Sequence, residues 1–137
     1  MGHMNVRVYL EKQMEGLAAF SVNLNMAHAF RKDSPSTIVP VDQHIRFIRE
    51  VLPGRPLSMK GCLLETGETD ALVYQELRHS DGGLAAAMRT RVAHIDTTAR
   101  EPFAWSSRTR EAFAEHMGTA PEESAPRSVD LSQPGLP

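Results

Sequence analysis

VRVYLEKQMEGLAAFSVNL, residues 6–24, is the stretch that decides the fold. Val6, Leu10, Met14, Leu17, Phe20 and Leu24 recur at helical spacing, so the segment reads as an α-helix with an apolar stripe. Its other side is not cleanly polar, because Val8, Ala18, Ala19 and Val22 lie there. A helix that is apolar nearly all round is expected to be buried, not laid on a surface. Asn5 stands where an N-cap belongs. Gln13 falls inside the stripe, where an unpartnered polar group costs about 1–3 kcal/mol. Glu15 has Lys12 within reach for an exposed pair on the rim, and contact with a bound substrate is the other solution.

Downstream, Asp33, Ser34 and Pro35 mark a loop, and after it the period changes from helical to alternating. Val39, Val41, Ile45 and Phe47 share one strand face in this reading; Asp42, His44, Arg46 and Glu50 share the other. Pro53-Gly54 signals a turn, Leu57 to Glu65 a second strand, Thr66-Gly67 another turn, and Ala71 to His79 a third strand. Asp81-Gly82-Gly83 is a hairpin signal, since glycine takes positive φ at no steric cost. Leu84 to Asp96 is the last strand, and Arg108 to Met117 a short helix. One buried helix followed by an antiparallel meander is an α+β layout, best satisfied by a curved sheet wrapped round the helix. From Gly118 to Pro137, Pro, Ser, Glu and Gly dominate, so residues 118–137 read as a disordered tail behind a domain of residues 1–117.

The totals exclude several classes. Lys and Arg number 15 against 17 Asp and Glu, a formal net charge of −2, which supplies no clustered basic excess for nucleic acid. No apolar run reaches the ~20 residues of a membrane span, and no secretory signal is visible. Cys62 is the only cysteine, so no internal disulfide forms and a cytoplasmic setting is expected. The 6 histidines show no metal-ligand spacing, and with a lone cysteine no zinc site is expected.

Gly2-His3-Met4-Asn5 followed by Tyr9-Leu10, then His44-Ile45-Arg46 with Glu50 and Pro53-Gly54, resemble the hotdog-fold thioesterases of the 4-hydroxybenzoyl-CoA type. His79-x-Asp81-Gly82 with Leu84-Ala85, and His94-Ile95-Asp96-Thr97, are similar to the branch containing betainyl-CoA thioesterases. The likeness runs from Gly2 to about Arg100. It implies a hotdog fold, assembled at least as a dimer, that hydrolyses an acyl-CoA thioester without metal or redox cofactor. In that family a first strand and a catalytic aspartate precede the Gly-His turn; the sequence starts at Met1-Gly2, and both are expected to be absent.

Thioester hydrolysis needs an activated water or carboxylate nucleophile and donors for the oxyanion. Backbone N–H groups at a helix start supply such donors, which makes Gly2, His3 and Asn5 candidates; an ordinary capped helix start is the plainer reading. His44 beside a carboxylate suits a base or a water-orienting group, and Glu50 either joins it or serves the strand end structurally. A solvated strand face reads the same residues without function. Arg89 and Arg91 share a face of the last strand, where they meet CoA phosphates or merely water. The resemblance favours an acyl-CoA thioesterase acting on a small or polar acyl group, as a homodimer or homotetramer. A catalytically silent hotdog protein that binds an acyl thioester or a partner is the alternative, and a hydratase on the same fold a third reading.

Overall fold

The computed structural model describes residues 6–29 and 31–126. Helix α1 (Val6–Asn23) is followed by β1 (Ser36–Phe47), β2 (Leu57–Thr66), β3 (Asp70–His79), β4 (Leu84–Asp96), α2 (Ser107–His116) and a 3₁₀ turn (Glu122–Ser124). The four strands form one antiparallel sheet in the order β1-β4-β3-β2. Thus β2, β3 and β4 form the expected meander, while β1 adds to the far side of β4 with Ser36 opposite Asp96.

The turns form where the sequence signals them. Gly54 and Gly82 both adopt positive φ, and Arg55 N–H donates to the Leu52 carbonyl to close the first. In the β3–β4 hairpin, Gly82 N–H donates to His79 O, and Asp81 Oδ1 accepts from Gly83 N–H at 2.8 Å. Arg49 then clamps Asp81 at 2.6 Å, which holds that carboxyl down to about 2.

Helix α1 lies on one face of the sheet, and its orientation corrects the expected stripe. Tyr9, Gln13, Leu17, Ser21 and Leu24 are buried, whereas Leu10 and Met14 are 37% and 39% exposed and Val22 is 56% exposed. The helix is therefore not enclosed all round. The reason is Gln13 and Ser21, whose hydrogen bonds, to Thr90 and to the Ala18 carbonyl, let them occupy core positions. Lys12 and Glu15 pair on the exposed rim at 3.5 Å.

A second correction concerns β1. The register shifts between Pro40 and Asp42, so Val41 is an extra residue, 59% exposed. A bulge changes the parity of the faces. Ile38 before it and Ile45 and Phe47 after it turn toward α1, while Val39 does not join them. Pro40 carries no N–H, which suits an edge strand beside a bulge.

The core has three parts. Leu17, Leu24, Leu63, Val73, Val92, Trp105 and Phe113 pack at one end of α1; Tyr9, Val51, Leu77, Ala86 and Met88 at the other. Tyr74, Leu84 and Ala87 form the third, on the sheet face away from α1, with Ala120 packed on them. The segment after α2 covers that outer face. Gly118 N–H donates to the Leu63 carbonyl, Ser124 is buried, and Arg46 Nη1 donates to the Ala125 carbonyl. Residues 118–126 are thus built onto the sheet, beyond the expected domain end at Met117; residues 127–137 of the expected tail lie outside the described residues. Cutting the chain after Met117 instead of after Pro126 is expected to cost about 2 kcal/mol, read as a lower melting temperature, because it uncovers Tyr74 and Ala87.

The His94-Ile95-Asp96-Thr97 stretch ties the loops at one end of the sheet. The His94 ring stacks on Trp105 at 4.5 Å, donates from Nδ1 to the Phe103 carbonyl at 2.6 Å and accepts at Nε2 from the Ser36 hydroxyl at 2.9 Å. Thr97 Oγ1 donates to the Ser34 carbonyl, and Asp96 Oδ1 accepts from the N–H groups of Thr98 and Ala99.

Candidate functional site

Helix α1 and the inner face of β1 meet along a line of polar groups set in apolar surroundings. Tyr9, in the first turns of α1, packs edge-on against Phe47 with ring centroids 4.9 Å apart. Burial chiefly, and the negative charge of Glu50 next, push the Tyr9 hydroxyl above its usual range, so it remains a protonated donor at neutral pH. Glu50 is exposed and stands three residues past the end of β1, in a loop whose Val51 packs with Tyr9.

One helical turn on from Tyr9, Gln13 Nε2 donates to Thr90 Oγ1 at 3.3 Å. Gln43 on β1 donates to the same oxygen at 3.1 Å, and Gln75 Nε2 donates to the Gln13 main-chain carbonyl at 2.9 Å. A chain of amides and one hydroxyl thus runs beneath the helix from the edge strand β1 to β3. Such a buried polar row is costly unless satisfied, and it fixes the height of α1 above the sheet.

The expected constellation is divided by the sheet. His44 lies directly opposite Arg89, and Asp42 opposite Arg91, on the outer face. Glu50 is not on that face, because β1 ends at Phe47, so His44 and Glu50 are not brought together as the alternation implied. Arg91 is held by Glu65 at 2.9 Å and by Asp70 at 3.0 Å, so its charge is already matched. Arg89 differs: its Nε is buried and has no hydrogen-bond partner among the described residues. Gly2, His3 and Asn5 lie outside the described residues. Among the described residues no group of three or more His, Cys, Asp or Glu is placed to hold a metal ion. None of the described helices is long and apolar enough to cross a membrane.

Sequence reasoning singled out Gln13 as a buried polar residue but missed Gln43, Gln75 and Thr90. Their signal was present only as polar residues at inward strand positions, Gln43 falling on the same alternating face as Ile45 and Phe47. It also missed a second cluster on the outer face. There the Tyr74 hydroxyl donates to Glu76 at 2.7 Å, and Arg78 Nε donates to the same carboxylate at 2.8 Å. Desolvation opposes ionisation of Glu76, but the bonds from Arg78 and Tyr74 outweigh it and hold its carboxyl below the usual range. The Tyr74 hydroxyl is pushed up, first by burial and then by Glu76. Both groups are fully used by each other and by Arg78, which makes the cluster a structural one.

Comparison with known proteins agrees with this architecture. A Staphylococcus aureus protein solved in complex with CoA superposes with a TM-score of 0.84 at 15% identity, over 95% of this chain and 85% of that one. A DHNA-CoA thioesterase from Staphylococcus aureus gives 0.74 at 14% identity, over 84% and 79%. A thioesterase from Thermus thermophilus, complexed with coenzyme A and Zn, gives 0.69 at 14% identity, over 87% and 85%. At such identities the likeness establishes the hotdog fold. No curated protein sequence matches the chain. The family model of the thioesterase-like superfamily matches residues 1–113, a span that takes in α1, the whole sheet and most of α2. A helix seated on this sheet, with the matched span covering both, places the chain in the thioesterase-like superfamily.

Proposed function

We propose that the protein hydrolyses the thioester of an acyl-CoA carrying a small or polar acyl group, assembled as two or four copies. The observation that carries this reading is that Glu50 immediately precedes Val51, which packs with Tyr9 of α1, in a thioesterase-superfamily fold. Glu50 takes a proton from water, the resulting hydroxide adds to the thioester carbonyl carbon, and the C–S bond breaks. The thiolate then recovers the proton, so the products are a carboxylic acid and free CoA. The candidates Gly2, His3 and Asn5 lie outside the described residues; in this reading the oxyanion takes its N–H donors from the chain that leads into α1. No metal or redox group takes part. Relatives of the fold bound to CoA support an acyl-CoA as the substrate.

The basic pair on the outer face takes the other end of the substrate. Arg89, whose Nε has no partner among the described residues, and His44 opposite it offer donors to a phosphate. The pantetheine arm then passes β1, the end strand of the sheet among the described residues. Association of copies uses the flank of α1 left open, where Leu10 and Met14 are exposed.

Release of free thiol from short acyl-CoAs tests the proposal. The expected result is turnover by the unmodified protein, with Arg89→Ala raising KM about tenfold at unchanged kcat, as loss of one charge-assisted phosphate contact requires. Binding of acyl-CoA without thiol release would replace the hydrolase reading by that of a silent binder.

A further inference from the structure

The stretch His79-x-Asp81-Gly82 forms the β3–β4 hairpin turn, and its carboxylate is tied to the loop that carries Glu50. Arg49 Nη2 donates to Asp81 Oδ2 at 2.6 Å and Nη1 to Oδ1 at 3.4 Å, a two-point clamp between loop and hairpin. The hairpin fixes the acceptor independently of the arginine. Asp81 Oδ1 also accepts from Gly83 N–H at 2.8 Å. Gly82 N–H donates to the His79 carbonyl and His79 N–H to the Gly83 carbonyl, each at 2.9 Å. A Cβ on Gly83 would lie 2.1 Å from Arg49 Nη1 and 3.0 Å from Asp81 Oδ1, so a larger residue there must push the guanidinium off its partner.

The backbone on both sides of Glu50 is held as well. In β4, Ala86 lies opposite Leu77 and Leu84 opposite Arg78, which leaves Ala85 as an extra residue with none facing it on β3. The Ala85 carbonyl accepts from Ile48 N–H at 2.9 Å and from Arg49 N–H at 3.0 Å. On the other side, Val51 is buried in the cluster that contains Tyr9 and Leu77. Glu50 itself is exposed, yet it stands between a neighbour fixed by charge and a neighbour fixed by burial.

We infer that Asp81 is a positioning residue for the proposed thioester hydrolysis: through Arg49 it fixes the loop at Glu50, and so sets where the base stands relative to the start of α1. The inference rests on the hydrolase reading and gives Asp81 no contact with substrate. Arg49 and Asp81 are both half exposed, and an ion pair so placed adds little to stability. Its effect is therefore on geometry, and a displacement of about 1 Å can cost a reaction about 10²-fold. The bonds from Arg49, and then from Gly83 N–H, hold the Asp81 carboxyl down to about 2, so the clamp stays charged wherever Glu50 can act as a base.

Asp81→Asn and Gly83→Ala in the full chain test this. The first removes the charge, and the second displaces Arg49 while both charges remain. Each is expected to lower kcat about tenfold at unchanged KM, read as thiol release from the short acyl-CoA that the parent turns over fastest. Arg49→Lys, which keeps the charge but loses the fork, should fall between parent and Asp81→Asn. In a Glu50→Gln background neither Asp81→Asn nor Gly83→Ala should lower kcat further, because the group they position is gone. Hydrogen exchange at the Ile48 and Arg49 amides should quicken in Asp81→Asn while the melting temperature holds. Should Asp81→Asn not fold, Gly83→Ala carries the test, since Gly83 is not at positive φ. A parent that turns over beside an Asp81→Asn variant with full kcat overturns the inference and leaves the hydrolase reading standing. Equal losses with and without Glu50, or unchanged exchange at the two amides, overturn it in the same way. A parent that releases no thiol overturns the hydrolase reading, and the role of Asp81 with it.

Discussion

Glu50→Gln is expected to lower kcat for thiol release by about 10²–10⁴-fold while leaving KM for the acyl-CoA nearly unchanged, if the proposed hydrolase reading holds. The size follows from what the substitution removes. Glutamine keeps the shape of the side chain and can still hydrogen-bond water, but it cannot accept a proton at neutral pH. Because Glu50 is exposed at the end of a loop and not part of the core, the variant should melt like the parent. Glu50→Asp should recover part of the rate, limited by a shorter reach. His44→Ala provides the contrast, because His44 lies opposite Arg89 on the other face of the sheet. Its effect should fall on KM with kcat intact. A Glu50→Gln enzyme as fast as the parent, or a His44→Ala enzyme that loses kcat instead, would place the chemistry on the outer face and sink the assignment.

His94→Ala is expected to lower stability by about 3–5 kcal/mol, comparable with other large-to-small changes of a buried ring. Three losses combine: the stack on Trp105, the bond to the Phe103 carbonyl and the bond from Ser36. Trp105 is itself held by a bond from Nε1 to the Asp70 carbonyl and by Phe113 against its edge, so the damage spreads to α2. The same residue sets an acid limit. Burial is the largest influence on the imidazole and lowers its pKa below the usual 6.5, and the nearby His28 lowers it further against the bond to Phe103. As pH falls through about 6.5 the unfolded chain takes up a proton that the folded one refuses. Stability is therefore constant with respect to this group above that pH. It declines below, by at most about 1.4 kcal/mol per pH unit, until the folded imidazole also titrates. Thermal melts of the parent and of His94→Gln between pH 5 and 7.5 check this; the glutamine variant should lose stability on acidification less steeply. Parallel slopes would show that other groups govern the acid limb.

The elements were largely legible in the sequence, because each rests on local chemistry. Leu84 to Asp96 reads as a strand and forms as one, and the glycines at 54 and 82 sit at turns that need positive φ. The pairing of side chains across elements was less legible. The face of α1 was misjudged because Leu10 and Met14 weigh more in a pattern than Gln13, whereas the fold buries Gln13 by giving it Thr90 as a partner. A single extra residue at Val41 shifts the parity of β1, so Val39 does not share a face with Ile45 and Phe47, which no alternation pattern announces. The segment after Met117 has few large side chains, yet Ala120 and Ser124 pack well, since small residues suit a chain laid flat on a sheet. Candidate site residues were found by type, but which of them share a face depends on the bulge and on where β1 ends.

The strand order has a consequence for how the protein is made. During synthesis β1 emerges soon after α1, but its strand partner among the described residues is β4, whose last residues follow roughly fifty residues later. At a ribosomal pace of ~5–20 residues per second, β1 spends about 2–10 seconds without its neighbour. The two hairpins β2–β3 and β3–β4 close over short loops as soon as they appear, whereas Ser36 cannot meet Asp96 until the meander is complete. Pro40 and the charges of Asp42 and Arg46 along β1 suit that interval, because a strand that lacks an N–H and carries charge is a poor template for pairing with another nascent chain.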